Sequence, residues 1–403
     1  MARLAGSSKL LRAMNESATM ALLIDRGTLT RGELRELTGL SKPTTSDVLR
    51  TLTEAGLAMV VGHTSGGPGP NAEVYAVNPA AALVVAISVR DVSETLHAPF
   101  DAALCDLTGT VLARAEYPAD PAAGDPVATV RAIVEDLRAR AGLKAGRPAR
   151  LQLGVPGSYD PGTGTIRHID VAGWSRPGLV PELAAALDLT VDADNDVNLA
   201  AIAERHRGVA AGTGSFALLW LGAGLGCAID LGASLLRGAT GGAGEIGYVP
   251  LGLAAPGQPR DLQSLAGGPA VAALAATYGF RGATAEEMIA EAVTRPEAPE
   301  ADAFLRALAD RIAVVLAVVA SLVDPPLVVL AGELAQAGGR VLRDLVTDAF
   351  HRNTPLRTPV EVTSLTDDAV LLGAMDAGLR AVREALVDSL NARPIPAAAA
   401  RSA

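Results

Sequence analysis

Sulfur is scarce in this chain of 403 residues. Its only cysteines are Cys105 and Cys227, each inside an apolar, strand-like run. Two such residues build neither a disulfide framework nor a cysteine zinc site. Long apolar runs are absent as well. The longest, residues 312–323, is bounded by Arg311 and Asp324 and is too short for a bilayer, which needs about 20 apolar residues. The N-terminal stretch lacks the apolar core of a signal peptide. These absences predict a soluble, cytoplasmic protein without a membrane partner. What is present is core-forming: 49% of residues are hydrophobic, and 42 Gly with 25 Pro suit a loop-rich α/β chain of two or three domains.

Charge is distributed unevenly. Residues 1–62 hold eight basic and six acidic side chains, so +2, while the whole chain carries −10 and the remainder therefore −12. A polyanion would be repelled by the body and not by the N-terminal segment.

Residues 7–26 place Leu10, Leu11, Met14, Ala18, Leu22 and Leu23 at helical spacing, and Gly27 ends that helix. Thr30-Arg31-Gly32-Glu33 reads as a capping box, with Leu34 and Leu37 facing inward. After the turn at 38–41, Ser41 caps a second helix that tolerates Pro43 in its first turn and runs to about Ala55, burying Val48, Leu49 and Leu52. Helix, glycine-containing turn and helix form a helix-turn-helix signature. Strands at 57–61 and 73–77 around the loop 62–70 add a wing. Ser41, Lys42, Thr44, Thr45 and Arg50 then become candidates for contact with double-stranded DNA in a major groove. The alternative is a tri-helical packing unit with a solvated face. The wing loop has no Arg or Lys to enter a minor groove.

Asn78-Pro79 closes this unit. Strands at 83–89, 102–107 and 111–115, a helix at 126–141 and a strand at 150–155 leading into Pro156-Gly157-Ser158 open an α/β lobe. A helix at 179–187 and a strand at 190–193 deliver Asp194-Asn195-Asp196-Val197-Asn198, followed by a helix at 199–208. Polar residues at such a strand end sit where α/β sheets bind ligands. Asp196 suits a general base for a substrate hydroxyl, although a helix cap also favours Asn and Asp. Farther on, Gly222-Ala223-Gly224-Leu225-Gly226 reads equally as a phosphate cradle or a tight β-turn. The stretch 240–248, TGGAGEIGY, holds Glu245 among glycines, where a carboxylate can accept from hydroxyl groups. A helical region to about Val323, a buried strand at 327–330, a final helix at 367–388 and a disordered tail at 391–403 complete the reading.

Several fragments together resemble the ROK family (repressors, open reading frames and kinases). They are the winged-helix start, Gly154-Val155-Pro156-Gly157, the 170–174 segment, Asn195-Asp196, the 222–226 loop, Leu236-Arg237-Gly238 with Gly244-Glu245-Ile246-Gly247, and the stretch 367–373, DDAVLLG. The resemblance implies a two-lobed actin/hexokinase-like (ribonuclease H-like) domain behind a winged helix-turn-helix. Its divisions would be 1–79 for the head, 80–193 for the first lobe with 367–388 packing back on it, and 194–366 for the second lobe. It also implies a sugar site at Asn195, Asp196 and Glu245, with Asp196 at the kinases' catalytic base. Tyr248 stands where the family has a His, Gln263 where a second sugar-binding Glu is usual, and Asp170 where an Asn is normal. Gly157 and these residues complete the expected effector site.

The departures favour a regulator. The kinases' glycine-rich phosphate loop corresponds to Ser88–Glu94 in sequence, SVRDVSE, which has no Gly, and the adenosine-side loop is thinned to Ala331-Gly332-Glu333. Phosphoryl transfer depends on positioning and charge neutralisation at those phosphates. The family's structural zinc uses His and Cys, absent from 248–263. The expectation is a DNA-binding repressor that is not an enzyme, homodimeric or larger, controlled by a carbohydrate-like effector, with neither zinc nor ATP. Two other readings are a sugar kinase with an accessory domain and a ligand-independent repressor with a vestigial cleft.

Overall fold

A computed structural model describes residues 2–64, 71–90, 100–118, 125–143, 148–167, 173–232, 234–252, 258–366 and 368–392. The glycine-free segment beyond Arg90, Asp170, the wing loop tip and the tail beyond Ala392 lie outside the described residues.

The N-terminal unit consists of α1 (Ala2–Arg26), β1 (Thr28–Thr30), α2 (Arg31–Thr38), α3 (Lys42–Glu54), β2 (Ala58–His63) and β3 (Glu73–Val77). The Thr30 capping box forms: the Thr30 N–H donates to Glu33 Oε2 at 2.7 Å, and the Glu33 N–H to Thr30 Oγ1 at 3.3 Å. The two wing strands are joined by β1 in an antiparallel sheet of order β1-β3-β2. The α1 stripe is rotated from the expected one. Leu10, Leu11 and Met14 are exposed, while Glu16, Thr19, Met20 and Leu23 are buried at the same helical spacing. Buried Glu16 is compensated by Arg12, whose Nε donates to it at 2.9 Å. Leu34 is buried as expected, but Leu37 is exposed.

The first lobe comprises β4 (Leu83–Val89), β5 (Phe100–Asp106), β6 (Val111–Tyr117), α4 (Pro126–Arg140), β7 (Arg150–Val155), β8 (Ser158–Asp160), β9 (Thr165–Arg167), α5 (Leu179–Leu187), β10 (Thr190–Asn195) and α6 (Asp196–Arg207). Its sheet runs β10-β7-β4-β5-β6, and because β10 pairs with β7 through Asn195 and leads directly into α6, we take the lobe beyond the expected limit at 193. The β10, β7 and β4 strands are parallel, with β5 and β6 antiparallel beside them. Every residue of β4 and β5 is buried, the mark of strands covered on both faces.

The second lobe comprises β11 (Phe216–Leu221), β12 (Leu225–Asp230), α7 (Leu262–Ala266), α8 (Gly268–Thr277), α9 (Ala285–Val293), α10 (Pro299–Val323), β13 (Val328–Ala331), α11 (Glu333–Asn353) and β14 (Val360–Val362). Its sheet runs β12-β11-β13-β14. The apolar run that was too short for a membrane forms the C-terminal half of α10, where Ile312, Val315, Leu316 and Val319 are buried and Val314 and Leu322 are exposed, and no helix among the described residues is long and apolar enough to cross one.

The last helix, α12 (Ala369–Ala392), returns to pack on β4, β7 and α6. One continuous core joins Met20 and Leu23 of α1, Val84 and Ala86 of β4, Leu199 and Ala203 of α6, Phe216 of β11 and Leu371, Met375, Leu379 and Val387 of α12. The packing of α6 on α12 is backbone-close. A Cβ on Gly373 would lie 1.8 Å from the Leu199 carbonyl oxygen, and neither helix can move without disturbing the other. Gly373→Ala is expected to cost about 2 kcal/mol through overpacking. It should lower the melting temperature by roughly 5 °C, as differential scanning calorimetry would read.

Candidate functional site

The lobes enclose a cleft of about 630 Å³. Three chain segments converge on its floor. The first is the β10–α6 junction. Asn195 ends β10 and caps α6: its Oδ1 accepts from the Asn198 N–H at 3.0 Å, and its Nδ2 donates to the Gly157 carbonyl at 2.9 Å. The cap reading and the site reading of this segment therefore hold together, since Asn195 fixes the Pro156-Gly157 turn that lines the cleft. Asp196 follows as the first residue of α6, its Oδ1 accepting from the Val197 N–H at 2.8 Å.

The second segment is the glycine-rich loop after β12. The Gly244 carbonyl accepts from the Cys227 N–H at 3.0 Å. Gly244 has φ +91°, and a Cβ there would lie 1.7 Å from the Cys227 carbonyl oxygen. Only glycine fits, and that fit sets Glu245 against the cleft. Tyr248 stands at the rim, largely exposed. Arg237 at the start of this loop crosses to the first lobe, where its Nη2 donates to Asp194 at 2.6 Å.

The third segment is the start of α11. Glu333 stands there. Burial pushes the Asp196 carboxyl up, the charges of Glu245 and Glu333 add to the push, and together they lift it to about 7. A carboxyl poised near neutrality in a cleft is suited to exchange a proton with a hydroxyl group.

Gln263 was expected among the effector ligands. It borders the cleft, but its side-chain amide is engaged by backbone: Oε1 accepts from the Leu225 N–H at 2.8 Å and Nε2 donates to the Ala223 carbonyl at 3.1 Å. It braces the 222–226 turn, a correction with a simple cause: a tight turn leaves backbone groups that need partners. Asn195, Asp196, Glu245, Tyr248 and Gly157 share the cleft.

At the first-lobe end lies a network that the sequence reading missed. Arg90, at the end of β4, donates to Asp368 at 2.5 Å and to Glu116 at 3.3 Å, while Arg114 donates to buried Asp101 at 2.6 Å. Burial pushes the Asp101 carboxyl up against the pull of Arg114. Asp368 also accepts from the Leu371 N–H at 2.9 Å, which ties the cleft to the first turn of α12. The sequence carried no local signal for it, because Arg90 and Arg114 have partners too distant in sequence to be paired by spacing.

On the head, Ser41 caps α3, its Oγ accepting from the Thr44 N–H at 3.3 Å. Ser41 and Lys42 are exposed and Thr44 is half-buried. Thr45 corrects the expected outward face: it is buried and donates to the Ser41 carbonyl at 3.1 Å. Its position falls on the stripe of Val48, Leu49 and Leu52, and a threonine hydroxyl can satisfy itself on the carbonyl four residues back. Arg50 is exposed but paired with Asp47 and Glu54 on its own helix. It must exchange these carboxylates before it can meet a phosphate or base.

Against known proteins, the ROK family model matches residues 98–379. The chain is 31% identical to a glucokinase of Halalkalibacterium halodurans over 217 residues, which is 48% of this chain and 64%, just under two thirds, of that one. It is 22% identical to a provisionally named xylose repressor of Caldicellulosiruptor sp. (strain Rt8B.4) over 397 residues, 92% of this chain and 96% of the other. Among solved structures, a ROK family transcriptional regulator described as a homolog of the E. coli MLC protein superposes with a TM-score of 0.73. That match has 18% identity and covers 94% of this chain and 99% of that one, a likeness of fold.

Asp196 gives the cleft a pH signature. Its pKa in the folded chain, about 7, exceeds the ordinary value of about 3.9. The folded state then holds a proton that the unfolded state has lost between those values. Stability is full below the unfolded pKa and is lost as pH rises toward 7. Asp196→Asn is expected to remove this slope and to gain about 4 kcal/mol on the wild type between pH 4 and 8, as urea unfolding at the two pH values would show.

Proposed function

The chain belongs to the ROK family, and from that premise we propose that it is a transcriptional repressor. It binds operator DNA as a homodimer through its N-terminal winged helix and is controlled by a carbohydrate-like effector in the interlobe cleft, without phosphoryl transfer. The observation that carries this reading is the order of elements in the N-terminal unit, which is that of a winged helix-turn-helix. A formed capping box on α2, a Ser-capped α3 with Lys42 at its exposed start, and the paired wing strands β2 and β3 precede a sugar-kinase-like cleft. A near-full-length relative is named as a xylose repressor, which supports it.

The cleft's chemistry supports the absence of phosphoryl transfer. Where a kinase must receive phosphates, Arg90 and Arg114 are engaged by Asp368, Glu116 and Asp101. Charge neutralisation at the phosphates, on which transfer depends, would require those pairs to break. The family's zinc does not fit either. Residues 248–263 contain no His or Cys, and their one carboxylate, Asp261, caps α7 by accepting from the Ser264 N–H at 2.8 Å. Sugar hydroxyls suit the remaining walls, since carboxylates such as Asp196 and Glu245 accept from them. Ligand-driven closure of the lobes would re-space the two heads of the dimer, and a coupling of about 1–3 kcal/mol is sufficient.

A second reading, a sugar kinase, is favoured by the Asp196 carboxyl near neutrality and by the glucokinase relative. A coupled ADP-release assay over a sugar panel separates the two. Turnover that disappears in Asp196→Ala would establish the kinase and remove the claim of a non-catalytic cleft.

Fluorescence anisotropy on the DNA upstream of the chain's own gene tests the regulator directly. Specific, salt-dependent binding is expected. Lys42→Ala should weaken it on all sequences alike and reduce the slope of log K against log salt by about 1. Equal binding to random DNA would overturn the reading.

A further inference from the structure

The charged groups of the cleft are arranged with a bias. At the first-lobe end, Arg90 and Arg114 meet the chain's own carboxylates. At the second-lobe end, the 222–226 glycine turn adjoins the start of α11. A glycine turn and a helix start are the elements with which backbone amides and helix dipoles hold anions.

Here the chain supplies the anion itself. Glu333, the first residue of α11, lays its carboxylate over the turn. Its Oε2 lies 2.5 Å from the point a Gly222 Cβ would occupy, and Trp220 Nε1 lies 2.8 Å from that same point. The absence of a side chain at Gly222 leaves the room that this carboxylate fills. The helical stretch that Glu333 opens, residues 333–338, stops at a kink at Gly339, and the gap at Gly222 beside Trp220 holds the carboxylate where it stands. Its field reaches across the cleft: Glu333 and Glu245 both act on Asp196. A phosphate dianion entering this space meets the like charge of Glu333 and Glu245, whereas a sugar hydroxyl meets acceptors.

We propose that Glu333 is a specificity residue of the cleft, which excludes phosphate esters and restricts the ligand to sugars that carry no phosphate. The inference rests on the reading of the cleft as a sugar site.

Isothermal titration calorimetry on the full chain tests it. The ligands are glucose, xylose and N-acetylglucosamine, the phosphate esters of each, and inorganic pyrophosphate. The proteins are the wild type, Glu333→Gln and Glu333→Asp. The wild type is expected to bind at least one parent sugar at least tenfold more tightly than its ester. In Glu333→Gln the ester should gain at least fivefold while the parent sugar changes less than twofold. Glu333→Asp, which retains the charge, should retain the discrimination and so separate charge from folding damage.

An ester bound by the wild type as tightly as its sugar, or a gap unchanged in Glu333→Gln, overturns the proposal. If no sugar binds in either form, the sugar reading itself fails, and pyrophosphate alone judges Glu333. A tenfold or larger gain for pyrophosphate in Glu333→Gln sustains the role of the carboxylate, and no gain overturns it.

Discussion

Gly373 of α12 lies against the Leu199 carbonyl of α6 with no room for a side chain between them, and the organisation of the molecule follows from that contact. The α6 helix starts at Asp196 on the cleft floor and ends at Arg207, which pairs with Asp376 of α12 at 2.5 Å. The α12 helix starts beside the cleft at Asp368 and ends against the head, where Val387 shares a core with Met20 and Leu23 of α1. Glu204 of α6, fully buried, accepts from the Val209 N–H at 3.0 Å and from the Thr363 hydroxyl. Two helices clamped backbone to backbone thus carry the floor of the cleft, the arginine network and the seat of the head. Interiors of this density transmit displacement instead of absorbing it.

The electrostatics are layered on that frame. Most ion pairs of the head and the outer helices, such as Arg50 with Glu54 or Arg306 with Asp302, are exposed and individually contribute little, because solvent screens them. The pairs at the cleft differ. Asp101 is buried, Asp368 and Asp194 nearly so, and each is met by an arginine from another strand or loop. Loss of one arginine would strand a buried carboxylate, the costly half of a buried pair. Of the pairs in the cleft, Arg237 with Asp194 joins a loop of the second lobe to a strand of the first, so its state depends on how far the lobes are closed.

Much of the frame was legible in the sequence because it is written locally. The Thr30 capping box, the Ser41 cap and the Asn195-Asp196 junction are short-range devices, and strands such as β11 and β13 announce themselves as unbroken apolar runs. The resemblance then put Glu245 and Asp196 in one cleft, where they are found. What was not legible depends on partners distant in sequence. Gln263 was assigned to a ligand on the resemblance, and the backbone it braces, Ala223 and Leu225, lies some 40 residues away, beyond the reach of local patterns. The pairing of Arg90 with Asp368 spans 278 positions. The stripe on α1 was misplaced because periodicity counts only apolar residues, and this helix buries Glu16 and Thr19 in place of Leu10 and Met14. Thr45 was misassigned for the same reason: its polarity hid its place on the buried stripe.

The geometry of α12 sets a scale. Its 24 residues make a rod of about 36 Å, with the cleft at one end and α1 of the head packed toward the other. A tilt of about 5° pivoting at the cleft end displaces the far end of such a rod by about 3 Å, close to the roughly 3.4 Å rise between successive base pairs. A shift of a fraction of an ångström one helical turn from the pivot is therefore magnified near the far end to about the rise of one base pair.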